Sequence, residues 1–241
     1  MNLIIDIGNT RAKIAVYKGD QQLKKRNTTV KGLAKSIKDL LKKYPLENCI
    51  LSSVSNFNTT IIKNIPTFKV CIELNHQTNV PFKNHYNTPS TLGVDRIALI
   101  SAAAHQFKKE NCLIIDAGTC ITYDFIDAKN NYLGGAISPG IGIRYKSLHQ
   151  FTAKLPKLEK NKYKLIGKDT NSAIHSGVLN GMVQEVEGII AQYKVKYQNL
   201  TVILTGGDTN FLAKKLKSTI FANPNFLLEG LNSILIHNLD E

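Results

Sequence analysis

The sequence predicts an α/β protein built from two copies of one domain, and three observations carry that prediction. Residues 3–10, Leu-Ile-Ile-Asp-Ile-Gly-Asn-Thr, return at 113–119 as Leu-Ile-Ile-Asp-Ala-Gly-Thr, 110 residues further along a chain of 241. Self-similarity at a fixed offset is the mark of a repeated unit. Each copy opens the same succession of strand and helix patterns. That alternation implies sheets covered by helices, with ligands at the strand ends in a cleft between two layers. The halves divide into residues 1–111 and 112–241.

The repeated stretch has a chemical logic. Leu3–Ile5 is a continuous apolar run, as in a strand buried on both faces. Asp6 stands where the strand leaves the core, and Gly8 lets the chain turn tightly and a ligand approach. Asn9 and Thr10 offer hydrogen bonds at the tip, where turn amides form an anion-binding concavity. Asp116, Gly118 and Thr119 repeat the pattern. One such tip alone is commonly just a strand ending in a turn. Two in register point to a phosphate site with carboxylates placed to hold cations.

In order, strands are expected at 2–7, 11–18 and 21–28, where Arg11–Lys18 is rich in strand formers and Lys18-Gly-Asp-Gln supplies a turn. Leu33, Ile37, Leu40, Leu41 and Tyr44 keep helical spacing, so a helix is expected over about 30–44, stopped by Pro45. Strands follow at Cys49–Val54 and Phe68–Leu74, with a short helix at 57–64 between them. A long polar loop, Asn75–Leu92, leads Gly93-Val-Asp-Arg into a helix over about 94–108 with Val94, Ile97, Ala98 and Ala104 inward.

The second half predicts strands at 112–117, 120–127 and 131–138, then a helix from Pro139 to about Thr152. The lysine-rich stretch 153–169 reads as a solvated loop, with a ligand-facing role as the alternative. A long helix over 171–197 buries Val178, Met182, Val183, Val186, Ile189, Ile190 and Tyr193. A strand at Leu200–Leu204 ends in Thr205-Gly-Gly-Asp, and helices at 209–217 and 225–239 flank a short strand at 219–222.

Bulk properties exclude several classes. Hydrophobic content of 43% and charged content of 20% belong to a globular protein with a sizeable core. No apolar stretch is long enough to span a membrane, and Asp6 interrupts the N-terminal run too early for a secretory signal. Cys49, Cys71, Cys112 and Cys120 show no metal-ligand spacing; they suit a reducing cytoplasm, with Cys120 beside a tip. The formal charge of +13 raises nucleic acid as a partner, but the lysines are spread along the chain without interleaved aromatics. Neither nucleic acid nor membrane is therefore expected as a partner.

No Walker loop, complete G-x-G-x-x-G, HExxH or G-x-S-x-G is present, so the duplicated tips must carry any nucleotide chemistry. Arg11 and Lys13 place positive charge beside the first tip. Asp95 and Arg96 open a helix after Gly93. An aspartate there is ordinarily a cap or first-turn acid. Beside phosphate tips it can instead take a proton from an attacking hydroxyl, while arginine grips a carboxylate in bidentate fashion. Thr170 reads as the N-cap of the long helix or as a ligand contact. Gly206 and Gly207 are either a loop or a place for an adenosine to lie against the backbone. The six histidines form no cluster and are assigned no chemistry.

Taken together, Asp6–Thr10, Gly93–Arg96, Asp116–Thr119, Gly134-Gly-Ala-Ile-Ser-Pro-Gly140, Thr170–Gly177 and Thr205–Asp208 resemble the type III pantothenate kinases. These belong to the actin and sugar-kinase superfamily of duplicated α/β domains. The resemblance implies two actin-like (RNase H-like) domains, each a mixed β-sheet flanked by helices. It implies ATP-dependent phosphorylation of pantothenate to 4′-phosphopantothenate, the first step toward coenzyme A. Asp6, Gly8, Asn9, Thr10 and Thr119 would bind ATP phosphates and Mg²⁺, with Arg11 and Lys13 adding charge there. Asp95 would be the general base. Tyr86, Gly93, Val94, Asp95, Arg96 and Thr170 would line the pantothenate pocket, and Asp116 would hold K⁺ or NH₄⁺. A cytoplasmic homodimer is implied. The alternatives are a superfamily kinase for another small molecule and a nonenzymatic regulator that binds nucleic acid.

Overall fold

The computed structural model describes residues 1–8, 11–53 and 57–240. They fall into two compact units, one of Met1–Lys108, Asn130–Tyr132 and Asn225–Glu241, the other of Lys109–Lys129 and Leu133–Pro224.

The first unit is built on a mixed sheet of β1 (Asn2–Ile7), β2 (Arg11–Lys18), β3 (Gln21–Thr29), β4 (Asn48–Ser53) and β5 (Val70–Glu73). Their spatial order is β3-β2-β1-β4-β5. β1 runs antiparallel to β2 and parallel to β4. Leu3, Ile4, Ile5 and Ile7 have no exposed surface, so both faces of β1 are covered. Burial of such side chains contributes roughly 1.5–3 kcal/mol each. Helices α1 (Leu33–Leu41) and α2 (Thr60–Lys63) set Leu33, Ile37, Leu40 and Ile62 against Leu3, Ile5 and Leu51. Helix α1 is shorter than its apolar spacing predicts, because Val30–Gly32 form a turn and at the other end Lys43 N and Tyr44 N both donate to Leu40 O in a closing turn. The loop after β5 holds a short strand, β6 (Lys83–Asn84), and a 3-10 turn at Pro89–Thr91 before α3 (Val94–Gln106).

The second unit repeats this plan. Its strands β7 (Asn111–Ala117), β8 (Cys120–Ile126), β9 (Asn131–Pro139), β10 (Leu200–Thr205) and β11 (Phe221–Ala222) lie in the order β11-β10-β7-β8-β9, with β6 next to β9. Read from the other edge, this is the first sheet's order. The pairing senses repeat as well: β7 is antiparallel to β8 and parallel to β10. The duplication read in the sequence is thus a duplication of strand order and direction. β6 pairs with Asn131 and Tyr132, which ties that short segment to the first unit.

Helix α4 (Ile141–Gln150) begins after Gly140. Pro139, expected to start this helix, instead ends β9, and its carbonyl accepts a hydrogen bond from Arg144 Nε at 2.8 Å. The expected long helix is present as α5 (Thr170–His175), a π-helical turn at Ser176–Asn180 and α6 (Gly181–Lys196). Its buried stripe includes Val178, Met182, Val183, Val186 and Ile190, with Ile189 and Tyr193 partly buried. Thr170 is not its N-cap. Asp169 caps the helix by accepting from Ser172 N at 2.9 Å, and Ser172 reciprocates to the Asp169 backbone. Helix α7 (Thr209–Ala213) is short. The 153–169 segment carries no helix or strand, and its Leu155, Leu158 and Tyr163 pack on the second unit's core.

The last helix, α8 (Phe226–Leu239), packs in the first unit against α3, β1 and β4. The even division at 111/112 assigns this helix to the other half. α3, which packs chiefly against α8 and also touches β4, is buried continuously from Arg96 to Ala104, more than the one inward face its pattern implies; Val94, expected inward, is only partly buried. Small residues allow the approach. A Cβ on Gly230 would lie 1.8 Å from the Ala98 carbonyl oxygen. Asn232, also buried, donates to Gly19 O at 3.0 Å and accepts from Asn2 at 3.1 Å.

Two glycine substitutions should therefore act in opposite directions. Gly230→Ala forces α8 off α3 and should lower unfolding free energy by about 2–3 kcal/mol. Gly188→Ala, on an exposed face of α6 with nothing within 4 Å of the added Cβ, should raise it by about 0.5–1 kcal/mol. Denaturant melts of both variants check this; two shifts of the same sign would contradict the packing account.

Candidate active site

The first tip is set by strand register. Asp6 stands opposite Lys13 on β2 and Ser52 on β4. Lys13 Nζ lies 3.8 Å from Asp6 Oδ2, and Ser52 Oγ donates to Asp6 Oδ1 at 3.1 Å. Burial pushes the Asp6 carboxyl above the usual range; Lys13 and Ser52 pull it down, while the charge of Asp95 adds a further push upward. Asp6 and Asp95 belong to the same unit. Gly8 N donates to Arg11 O at 2.9 Å to close the turn. Arg11 is exposed. Asn9 and Thr10, expected at the phosphate tip, lie outside the described residues.

The second tip has the same frame with different side chains. Asp116 stands across from Thr122, where the first tip has lysine. Gly118 N donates to Cys120 O at 2.9 Å, and Thr119 and Cys120 are exposed. Gly206, at φ 95°, approaches so closely that a Cβ would lie 2.3 Å from Asp116 Oδ1. Asp208 N donates to Ala117 O at 2.9 Å, so the Thr205–Asp208 turn is stitched onto this tip. Thr122 Oγ1 is buried with no hydrogen-bond partner, directly across the ladder from the Asp116 carboxylate. An orphaned oxygen beside a carboxylate fits an oxygen-ligated cation. Among the described residues no three His, Cys, Asp or Glu side chains gather, so such a cation would take its other ligands from carbonyls, water or phosphate.

Next to this tip the second unit has an open depression of about 990 Å³, lined by Ile141, Tyr145, His149, Lys157, Lys160 and Asp208 among others. Lys160 Nζ meets Asp208 Oδ1 at 2.7 Å. The lysine-rich segment contributes Lys157, Leu158, Glu159 and Lys160 to this lining. Tyr145 and the buried His175 share a 2.7 Å hydrogen bond. Arg144 pairs with Glu185, which also accepts from Tyr123 at 2.9 Å, fixing the turn from β9 into α4.

The third group lies at the start of α3. Gly93 is its N-cap residue and Asp95 sits in the first turn. The Asp95 carboxylate folds back so that Oδ1 accepts from Arg96 N at 2.8 Å, and a Cβ on Gly93 would lie 2.4 Å from that same oxygen. Glycine is thus required by the position of the Asp95 carboxylate. Arg96 is buried; its Nη2 donates to Tyr132 Oη at 2.8 Å, and its guanidinium lies 5.5 Å from the Tyr86 ring centroid. Tyr86 stacks on Tyr132 at 6.0 Å. Thr170 is the first residue of α5 and is exposed.

Sequence reasoning missed Ser52 and Tyr132. Ser52 ends an apolar strand and becomes visible only once β4 is registered against β1. Tyr132 joins the Gly93–Arg96 group through a contact that spans 36 residues. No local motif marks it.

Comparison with known proteins now adds a decisive observation. The family described as Type III pantothenate kinase matches residues 2–192. A relative from Flavobacterium johnsoniae, named Type III pantothenate kinase, is 47% identical over 244 residues, covering 100% of this chain and 99% of its own. The chain belongs to the type III pantothenate kinases. Solved structures agree on the fold. A Campylobacter jejuni protein, described as a candidate Baf family transcriptional activator, superimposes with a TM-score of 0.65 at 24% identity, covering 99% of this chain and 100% of its own. A ROK hexokinase from Thermus thermophilus gives 0.55 at 11% identity, covering 98% and 99%. At such identities these neighbours establish the architecture, an actin-like α/β fold with two mixed sheets flanked by helices. No described helix is long and apolar enough to cross a membrane.

Two outcomes follow for the kinase. In Gly93→Ala the new methyl displaces the Asp95 carboxylate, the flexible end of a side chain, so turnover should fall by about 100-fold with little change in melting temperature. Unchanged turnover would show that the Asp95 position is not critical. In Asp6→Asn, removing a charge that burial disfavours should leave the melting temperature of the nucleotide-free protein equal or higher, while turnover is lost. A marked drop in melting temperature would make Asp6 a structural ion pair.

Proposed function

We infer that this kinase transfers the γ-phosphoryl group of ATP to pantothenate, giving 4′-phosphopantothenate on the route to coenzyme A. Membership of the family carries the activity. The observations that support the residue assignments are geometric: Ser52 Oγ holds the Asp6 carboxylate at the end of β1, and the Arg96 amide holds the Asp95 carboxylate in the first turn of α3.

In this reading Asp95 accepts the proton of the substrate's primary hydroxyl as its oxygen attacks phosphorus. The new O–P bond forms as the bond to the bridging oxygen breaks, and ADP leaves. The first turn of α3 suits the role, since it holds the carboxylate against the Arg96 amide and beside Gly93. Arg96 grips the carboxylate end of pantothenate. Tyr86, Gly93, Val94 and Thr170 complete the pocket. Asp6, Gly8, Arg11, Lys13 and Thr119 take the phosphates, with Asn9 and Thr10 assigned there on the motif. Magnesium bound with ATP at Asp6 would neutralise charge developing on the phosphates. Asp116 holds a monovalent cation, K⁺ or NH₄⁺, and the orphaned Thr122 Oγ1 across from it supports that assignment. The acting species is a cytoplasmic homodimer. The halves 1–111 and 112–241 are the units of duplication.

The test is ADP release with Mg-ATP and pantothenate, in KCl and in NaCl, for wild type and Asp95→Asn. Turnover should require pantothenate and K⁺ and should drop by about 100-fold or more in Asp95→Asn. Equal rates in the two salts would remove the cation site, and an active Asp95→Asn would remove the base. Turnover with no added pantothenate, or none in any salt, would point to another substrate.

A further inference from the structure

We propose that Tyr132 is a positioning residue for the substrate's carboxylate end: its hydroxyl sets the plane of the Arg96 guanidinium, and its ring supports Tyr86. This rests on the reading above, in which Arg96 binds a carboxylate.

The geometry is specific. A guanidinium presents its donors in one rigid plane, so recognition of a carboxylate depends on how that plane is rotated. Tyr132 Oη accepts from Arg96 Nη2 at 2.8 Å and so helps set that rotation. The Tyr86 ring lies against the same guanidinium at 5.5 Å, and stacks on Tyr132 at 6.0 Å with an interplanar angle of 25°. One residue therefore contacts both proposed substrate contacts, through its hydroxyl and through its ring.

Tyr132 is itself held firmly enough for this task. It has no exposed surface. Phe82 meets its ring edge-on at 6.0 Å. Its backbone is paired to the loop that carries Tyr86: β6 pairs with Asn131 and Tyr132, Lys83 N donates to Asn130 O at 2.8 Å, and His85 N donates to Tyr132 O at 3.0 Å. A buried tyrosine among phenyl rings could be core filling alone. The hydroxyl distinguishes the two roles, because phenylalanine would fill the same space, and tyrosine's oxygen meets a charged donor.

The experiment is steady-state kinetics of Tyr132→Phe, Arg96→Met and the double variant. Tyr132→Phe should raise the pantothenate KM by about 5- to 20-fold, with kcat and the ATP KM close to wild type. In the Arg96→Met background the same change should add less than about 2-fold, because the interaction it removes is already gone. Independent, multiplying effects of the two substitutions would overturn the proposal, as would a kcat or ATP KM loss that tracks the pantothenate loss. An unchanged pantothenate KM in Tyr132→Phe, with a raised KM in Arg96→Met, would reject Tyr132 and keep Arg96. An unchanged KM in Arg96→Met would instead reject the carboxylate reading itself.

Discussion

The molecule depends on a strand that is buried on both faces and ends in an aspartate. Leu3–Ile5 and Leu113–Ile115 have no exposed surface, and Asp6 and Asp116 follow immediately at the edge of the core. A carboxylate so placed loses hydration and pays for it in stability, as the raised pKa of Asp6 records. The neighbouring strands reduce that penalty: β2 brings Lys13 and β4 brings Ser52 to the same level. The core thus fixes the carboxylate's position, while the sheet register supplies its partners.

Duplication preserved the frame and changed the contents. Both sheets have one antiparallel neighbour and one parallel neighbour beside the central strand. At the equivalent position across the ladder, lysine faces Asp6 and threonine faces Asp116. Lysine sets a positive charge beside Asp6, whereas threonine sets a neutral hydroxyl across from Asp116. The same backbone device can therefore serve two electrostatic tasks.

The Gly93–Arg96 turn reaches its geometry by a different route. Asp95 needs the space that only glycine at 93 leaves, and Arg96 is oriented by aromatic residues from two other segments. Further along α3, α8 packs over Ala98 and Ala102, a contact between the middle and the end of the chain. Local sequence marks this turn as unusual, but long-range packing gives it shape.

Sequence by itself determined the duplication, the strand carriers of Asp6 and Asp116, and the helix that Gly93 opens. Each is a local pattern: an apolar run, a glycine turn, a periodic face. Local patterns also misled at two places. Pro139 ended a strand because Gly140 could start the helix after it. Asp169 rather than Thr170 capped α5 because its carboxylate reaches the Ser172 amide. The lysine-rich 153–169 segment is the exposed loop its charge suggests, and Leu155, Leu158 and Tyr163 pack partly buried on the second unit's core. Only the tertiary structure decided that α8 joins the first unit, that Ser52 meets Asp6 and that Tyr132 meets Arg96. These contacts join residues 36 or more positions apart, and they form only when separate elements pack or register. No periodicity or motif in one segment can encode what another segment will bring to it.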